Sequence, residues 1–113
     1  MKIKLIESNT DSLEKAKELI NDYCEREFGD NADFSDLSNI GLAYTTSEDG
    51  QYEYQVTVNL NNYTLNYYVD GNLVYRDKLP SLDNLITRDL MYLDFDSLID
   101  DCEYYYTGGI PLF

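Results

Sequence analysis

The chain contains no histidine and no tryptophan. Without imidazole it lacks the usual general base, the Ser-His and Cys-His nucleophile pairs, and the commonest transition-metal ligand. Two cysteines alone cannot build a zinc site. Cys24 and Cys102 fall in predicted helices, and with no secretory signal they are expected as reduced, largely buried thiols rather than a disulfide. There is no Gly-rich phosphate loop, because Gly108-Gly109 is not followed by a helix and a lysine. No apolar run approaches membrane-spanning length. Met1 to Ile6 is too short for a signal-peptide core and runs straight into Glu7, so a cytoplasmic protein is expected. Basic residues are the last scarcity: 8 against 22 acidic ones give a net charge of −14. Such a chain repels nucleic acid and anionic membrane, and its natural partners are cations or basic protein surfaces. Solubility alone also accounts for such acidity.

What is abundant is tyrosine, with 12 residues. Tyrosine suits half-buried strand faces and also serves as a rigid amphipathic anchor at interfaces. At 113 residues and 43% hydrophobic the chain suits one folded domain, 1–113, with a single core. The tyrosines concentrate where the pattern is clearest. Tyr52, Tyr54, Val56 and Val58 alternate with Glu53, Gln55, Thr57 and Asn59, which predicts a strand over Gln51–Leu60. Tyr63, Leu65, Tyr67 and Val69 repeat the alternation. Asp70-Gly71 is a strong hairpin signal and Asn61-Asn62 a weaker one. A two-residue Asp70-Gly71 turn would set Tyr67 opposite Val74 and Tyr68 opposite Leu73, unless a bulge shifts the register.

Around this meander, Lys2–Ile6 reads as a short edge strand guarded by lysines. Ser8 to Asp11 offers N-cap residues, and Leu13, Ala16, Leu19, Ile20, Tyr23, Cys24 and Phe28 make one helical stripe over Asp11–Phe28, with Gly29 as C-cap. The polar stretch from Gly29 to Asn39 tucks Phe34 and Leu37 inward, with one helical turn possible at Asp33–Leu37. Ile40–Thr46 is a strand and Ser47–Gly50 a turn. Pro80 ends the last strand. Ser81 caps a helix whose stripe is Leu82, Leu85, Ile86, Leu90 and Leu93. Asp96 then caps a third helix through Leu98, Ile99 and Cys102, which Gly108-Gly109 ends before an apolar tail, Ile110 to Phe113. The expected fold is α+β: an antiparallel meander sheet of four to five strands with an N-terminal helix and two C-terminal helices packed on it.

Carboxylates are plentiful enough to raise hard cations. Asp30 to Asp36 superficially resembles a calcium loop, but it lacks the alternate-position ligands, the central glycine and the terminal glutamate of an EF-hand. Paired acids for glycoside hydrolysis need a sugar cleft that a domain of this size has little room for. The expectation is a non-enzyme with no cofactor and no metal.

The charge is gathered in two blocks. One spans Asp22, Glu25, Glu27, Asp30, Asp33 and Asp36, opposed only by Arg26. The other follows Arg88 and carries Asp89, Asp94, Asp96, Asp100, Asp101 and Glu103 with no lysine or arginine. Beside it lie Tyr104, Tyr105 and Tyr106, which cannot all face one core from a helix. Aligned carboxylates can imitate a phosphate row, and aromatic anchors suit an Arg/Lys-rich partner. The candidate partner-binding residues are therefore Asp94, Asp96, Asp100, Asp101, Glu103, Tyr104, Tyr105 and Tyr106. A solvated helix face with an aromatic end-plug is the competing account.

Several stretches also resemble the large polyvalent protein-associated domains of conjugative transposons and phages in Gram-positive bacteria. They are Ala16-Lys17-Glu18-Leu19-Ile20, Tyr23-Cys24, Glu27-Phe28-Gly29, Ala32 to Leu37, Ile40 to Thr46, Ser81 to Ile86 and Tyr92 to Leu98. The family brings no catalytic residue to transfer, and the tail from Asp100 departs from its pattern. It does imply a mobile-element setting, where small acidic proteins often inhibit host defence nucleases. The leading expectation is thus an anti-CRISPR-like DNA mimic that occupies the basic nucleic-acid site of a CRISPR effector nuclease or similar enzyme. The alternative is an accessory module of a conjugative element that binds another element-encoded protein or forms a homodimer.

Overall fold

The computed structural model describes residues 2–107, with side chains from residue 12 onward. Four strands form one antiparallel sheet in the order of the chain: β1 (Ile40–Thr46), β2 (Glu53–Asn59), β3 (Thr64–Val69) and β4 (Asn72–Lys78). Helix α1 (Lys2–Phe28) precedes them; α2 (Leu82–Arg88), a 3-10 turn (Leu90–Tyr92) and α3 (Phe95–Tyr106) follow. The α+β class and the meander are as expected, with four strands. The difference is at the N-terminus, where the backbone over Lys2–Ile6 is helical rather than a fifth strand, and Ser8 to Asp11 lies inside the helix. An added strand needs a sheet edge to satisfy its backbone, whereas a helix pairs its own N–H and C=O groups.

Ala16, Ile20, Tyr23 and Cys24 of α1 are buried in one core with both other helices and the sheet. Tyr23 donates its hydroxyl to the Leu42 carbonyl of β1 at 2.8 Å. Arg26 donates to the Leu93 carbonyl at 2.9 Å, tying α1 to the segment before α3. The connection from Gly29 to Asn39 holds no helical turn. Asp33 and Asp36 each accept the N–H two residues on, from Ser35 and Ser38, and these local bonds compete with helix. Phe34 and Leu37 pack against the core as expected.

The register puts Tyr54, Val56 and Val58 of β2 on the same face as Val69, Tyr67 and Leu65 of β3. This is the face α3 crosses, with Tyr105 against Tyr67 and Cys102 near the Gln55 carbonyl. Each outer strand carries a bulge. In β1 the extra residue is Leu42, which is fully buried and aims its carbonyl at Tyr23. In β4 the shift sets Tyr67 opposite Tyr75 rather than Val74, while Tyr68 does face Leu73. The turn before β4 is as the sequence predicts, with Asp70 at φ 52° and Gly71 at φ 81°. The Asn61-Asn62 turn is looser than a two-residue hairpin. Asn59 accepts both asparagine N–H groups through Oδ1, and Tyr63 takes a left-handed φ of 63° in the turn instead of extending β3.

Ser81 caps α2 through the Asn84 N–H. The predicted stripe continues past Arg88 only by switching to the 3-10 turn, which buries Leu90 and leaves Met91 and Tyr92 exposed. Asp94, not Asp96, caps α3, accepting from the N–H and hydroxyl of Ser97. Asp96 lies in the first turn, where a carboxylate favours the helix dipole. Gly108-Gly109 and the apolar tail lie outside the described residues. Both cysteines are free and buried.

Candidate protein-docking surface

Helix α3 divides the acidic block in two. At 100° per residue, Asp96, Asp100 and Glu103 share one exposed line, spaced i, i+4 and i+7. Asp101 is rotated to the opposite flank and is half-buried. Between them Leu98 and Cys102 face the sheet. The sequence brought these carboxylates together; the helix gives them two different neighbourhoods.

Asp100 and Glu103 of this line, but not Asp96, border a groove of about 550 Å³ between α3 and the β1–β2 turn. Its walls add Glu48 and Asp49 from the turn, and its apolar lining is Tyr52, Tyr54 and Ile99. No lysine or arginine lines it. The turn is locally built: Ser47 donates its hydroxyl to Asp49 at 2.6 Å, and the Gln51 N–H donates to the same oxygen at 3.0 Å. Those two bonds hold the Asp49 carboxyl below its ordinary pKa, so its charge persists into acid. Tyr54, a buried core residue, points its hydroxyl at Glu103 at 3.4 Å. Burial, then the Glu103 charge, raises the Tyr54 pKa, so the phenol stays a neutral donor. A second groove of similar size on α1 mixes Glu14 and Glu18 with Lys15 and Lys17, so it carries no preference of sign.

The three tyrosines at the end of α3 have separate roles. Tyr105 is half-buried, stacked on Tyr75 with ring centres 4.0 Å apart and 14° between planes, and packed on Tyr67 at 5.0 Å. It is a piece of the core edge rather than a free anchor. Tyr104 and Tyr106 are 57% and 47% exposed, enough for a partner to reach both. Tyr106 also leans on Tyr52 at 5.1 Å, which joins it to the groove wall.

The two acidic blocks meet where α1 ends and α3 begins. Phe28 packs edge-on against Phe95 at 5.8 Å. Glu27 and Asp94 both act on Tyr23, whose pKa is raised first by burial and then by these charges. Asp94 is occupied as the α3 cap, and Asp33 and Asp36 are occupied by their turns. Among the described residues, no group of three acidic or thiol side chains is arranged to hold a metal ion. Also among them, no helix is long and apolar enough to cross a membrane.

No family model, curated protein or solved structure matches the chain. The geometry therefore has to speak for the function. Sequence reasoning found Asp100 and Glu103 but missed Glu48, Asp49, Tyr52 and Tyr54, which complete the groove. The β1–β2 turn was legible as a turn. What brings it to α3 is the helix's path across the sheet, which no local pattern encodes.

Proposed function

We propose that this chain is a non-enzymatic inhibitor that docks on the basic nucleic-acid site of a host defence nuclease, a CRISPR effector or an enzyme like it. It would act in the cytoplasm. The observation that carries the reading is the groove between α3 and the β1–β2 turn, where Glu48, Asp49, Asp100 and Glu103 surround tyrosine walls with no basic residue among them. Four carboxylates around an apolar floor suit guanidinium and ammonium groups, and the aromatic rings suit their stems and planes. Exposed Tyr104 beside Asp100 and Asp101 adds an anchor at the rim. The net charge of −14 steers such docking at long range.

A pull-down from bacterial lysate, with and without nuclease digestion, tests the reading. It is supported by a nucleic-acid enzyme in the eluate that added DNA or guide RNA displaces. Replacing Asp100 and Glu103 together by lysine should then weaken capture about tenfold or more, chiefly through the association rate. Capture that survives both nucleic acid and charge reversal overturns it. The accessory-module reading draws on a different feature. Tyr44 and Leu73, exposed on outer strands over the sheet face away from α3, suit docking of another protein or a second copy. Light scattering of the isolated protein together with the Tyr44→Ser variant separates a homodimer from the inhibitor reading.

A further inference from the structure

Asp89 joins α2 to the 3-10 turn, and its backbone alone makes the junction. Its N–H donates to the Leu85 carbonyl, and its carbonyl accepts from the Tyr92 N–H. The side chain makes no cap hydrogen bond. Its Oδ2 is sealed from solvent and has no hydrogen-bond partner among the described residues. An ionised carboxylate is badly placed there. Its buried oxygen has no donor among the described residues, and it sits at the negative end of the α2 dipole.

The groups that face it deepen the problem. Asp77 comes from β4. Arg88 of α2 is the nearest cation, but its guanidinium lies 3.5 Å from the Asp77 carboxylate. Tyr67 of β3, Arg88 of α2 and Tyr92 of the turn line the same pocket of about 100 Å³, together with Asp94, the cap of α3, and Asp101 of α3. Tyr105 of α3 closes the side next to Asp101 and Tyr67. Burial, followed by the Asp77 charge, raises the Asp89 pKa against the opposing pull of Arg88; burial, followed by Asp100, raises that of Asp101.

We propose that the carboxyl of Asp89 is a pH-sensitive latch that seats the α2–turn junction against β3 and α3. With the proton on, the buried oxygen is neutral and the junction closes. With the proton lost to solvent, Asp77, Asp89 and Asp101 repel one another, the Asp89 side chain turns toward water, and residues 88–93 loosen. The folded-state pKa is above the unfolded one, so the tightening is present in acid. It is lost as pH rises from the ordinary carboxylate range through the raised value.

Carboxyl-carbon NMR of the intact protein follows the Asp89 proton directly. We expect its midpoint above that of the exposed aspartates, with amide protection at residues 89–93 falling over the same pH range. Asp89→Asn should hold those protection factors at least about tenfold above wild type at neutral pH and remove their pH dependence. Asp96→Asn, which removes an equal charge from an exposed helix position, should leave that dependence as in wild type. Asp89 titrating with the exposed carboxyls, or the two variants behaving alike, overturns the latch. Should Asp89→Asn not fold, the wild-type titration decides alone.

Discussion

Tyr23 shows how much one side chain can fix. Its ring fills the space between α1 and the sheet, and its hydroxyl satisfies the carbonyl of the residue that bulges out of β1. Replacing it by phenylalanine keeps the ring but strands the Leu42 carbonyl in the core. Leaving a buried acceptor unpaired costs about 1–3 kcal/mol, so Tyr23→Phe should lower the urea midpoint accordingly with an unchanged slope. An unchanged midpoint would mean that water replaces the hydroxyl. Cys102 gives a chemical counterpart. Burial pushes its thiol up to about 11. Only the thiolate reacts, so at pH 8 its alkylation in the native protein should run at least about a hundredfold slower than in urea. Rapid modification of the native thiol would show that α3 opens from the sheet.

At the scale of elements, the sequence was most legible where one period governs a whole segment and least where two local preferences compete. The core face of β2 and β3 and the stripe from Leu13 to Cys24 lie where the two periods put them, although Thr57, Thr64 and Asn66 on the other sheet face are buried as well and Phe28 at the helix end is exposed. The start of α3 was less legible. Asp94 and Asp96 both satisfy the preferences of an N-cap, and periodicity alone cannot choose between them. The choice follows from Ser97, which offers Asp94 a backbone N–H and a hydroxyl. Asp94→Ala should therefore cost about 1 kcal/mol and fray α3 from its first turn, whereas Asp96→Ala should cost less. Thermal melts of the two variants check this, and equal losses would contradict the cap assignment. The β4 register was illegible for a related reason. The turn sequence correctly sets the first pairs, but the bulge that follows serves the packing of Tyr75 on Tyr67 and Tyr105, a requirement arising from α3 some thirty residues away.

For the whole molecule, charge acts in two opposed ways, and that opposition is testable. With −14 on a chain of 113 residues, self-repulsion works against folding, while the same field would draw in the proposed cationic partner. Beside Asp100 and Glu103, which line the groove, two of the candidate carboxylates lie elsewhere, Asp94 in a cap and Asp101 on a half-buried flank. The groove residues that replace them, Glu48 and Asp49, were hidden by their distance along the chain. Salt shortens the screening length from about 10 Å at 0.1 M to about 3 Å at 1 M. Adding sodium chloride at neutral pH should thus raise the melting temperature of the isolated protein, because the repulsion between its carboxylates is damped. Over the same series, affinity for a captured basic partner should fall, mostly through slower association. If the acidity served only solubility, stability would respond to salt but partner binding would not. A binding constant that stays flat while the melting temperature climbs would separate the charge from the function and remove the electrostatic basis of the proposed inhibition.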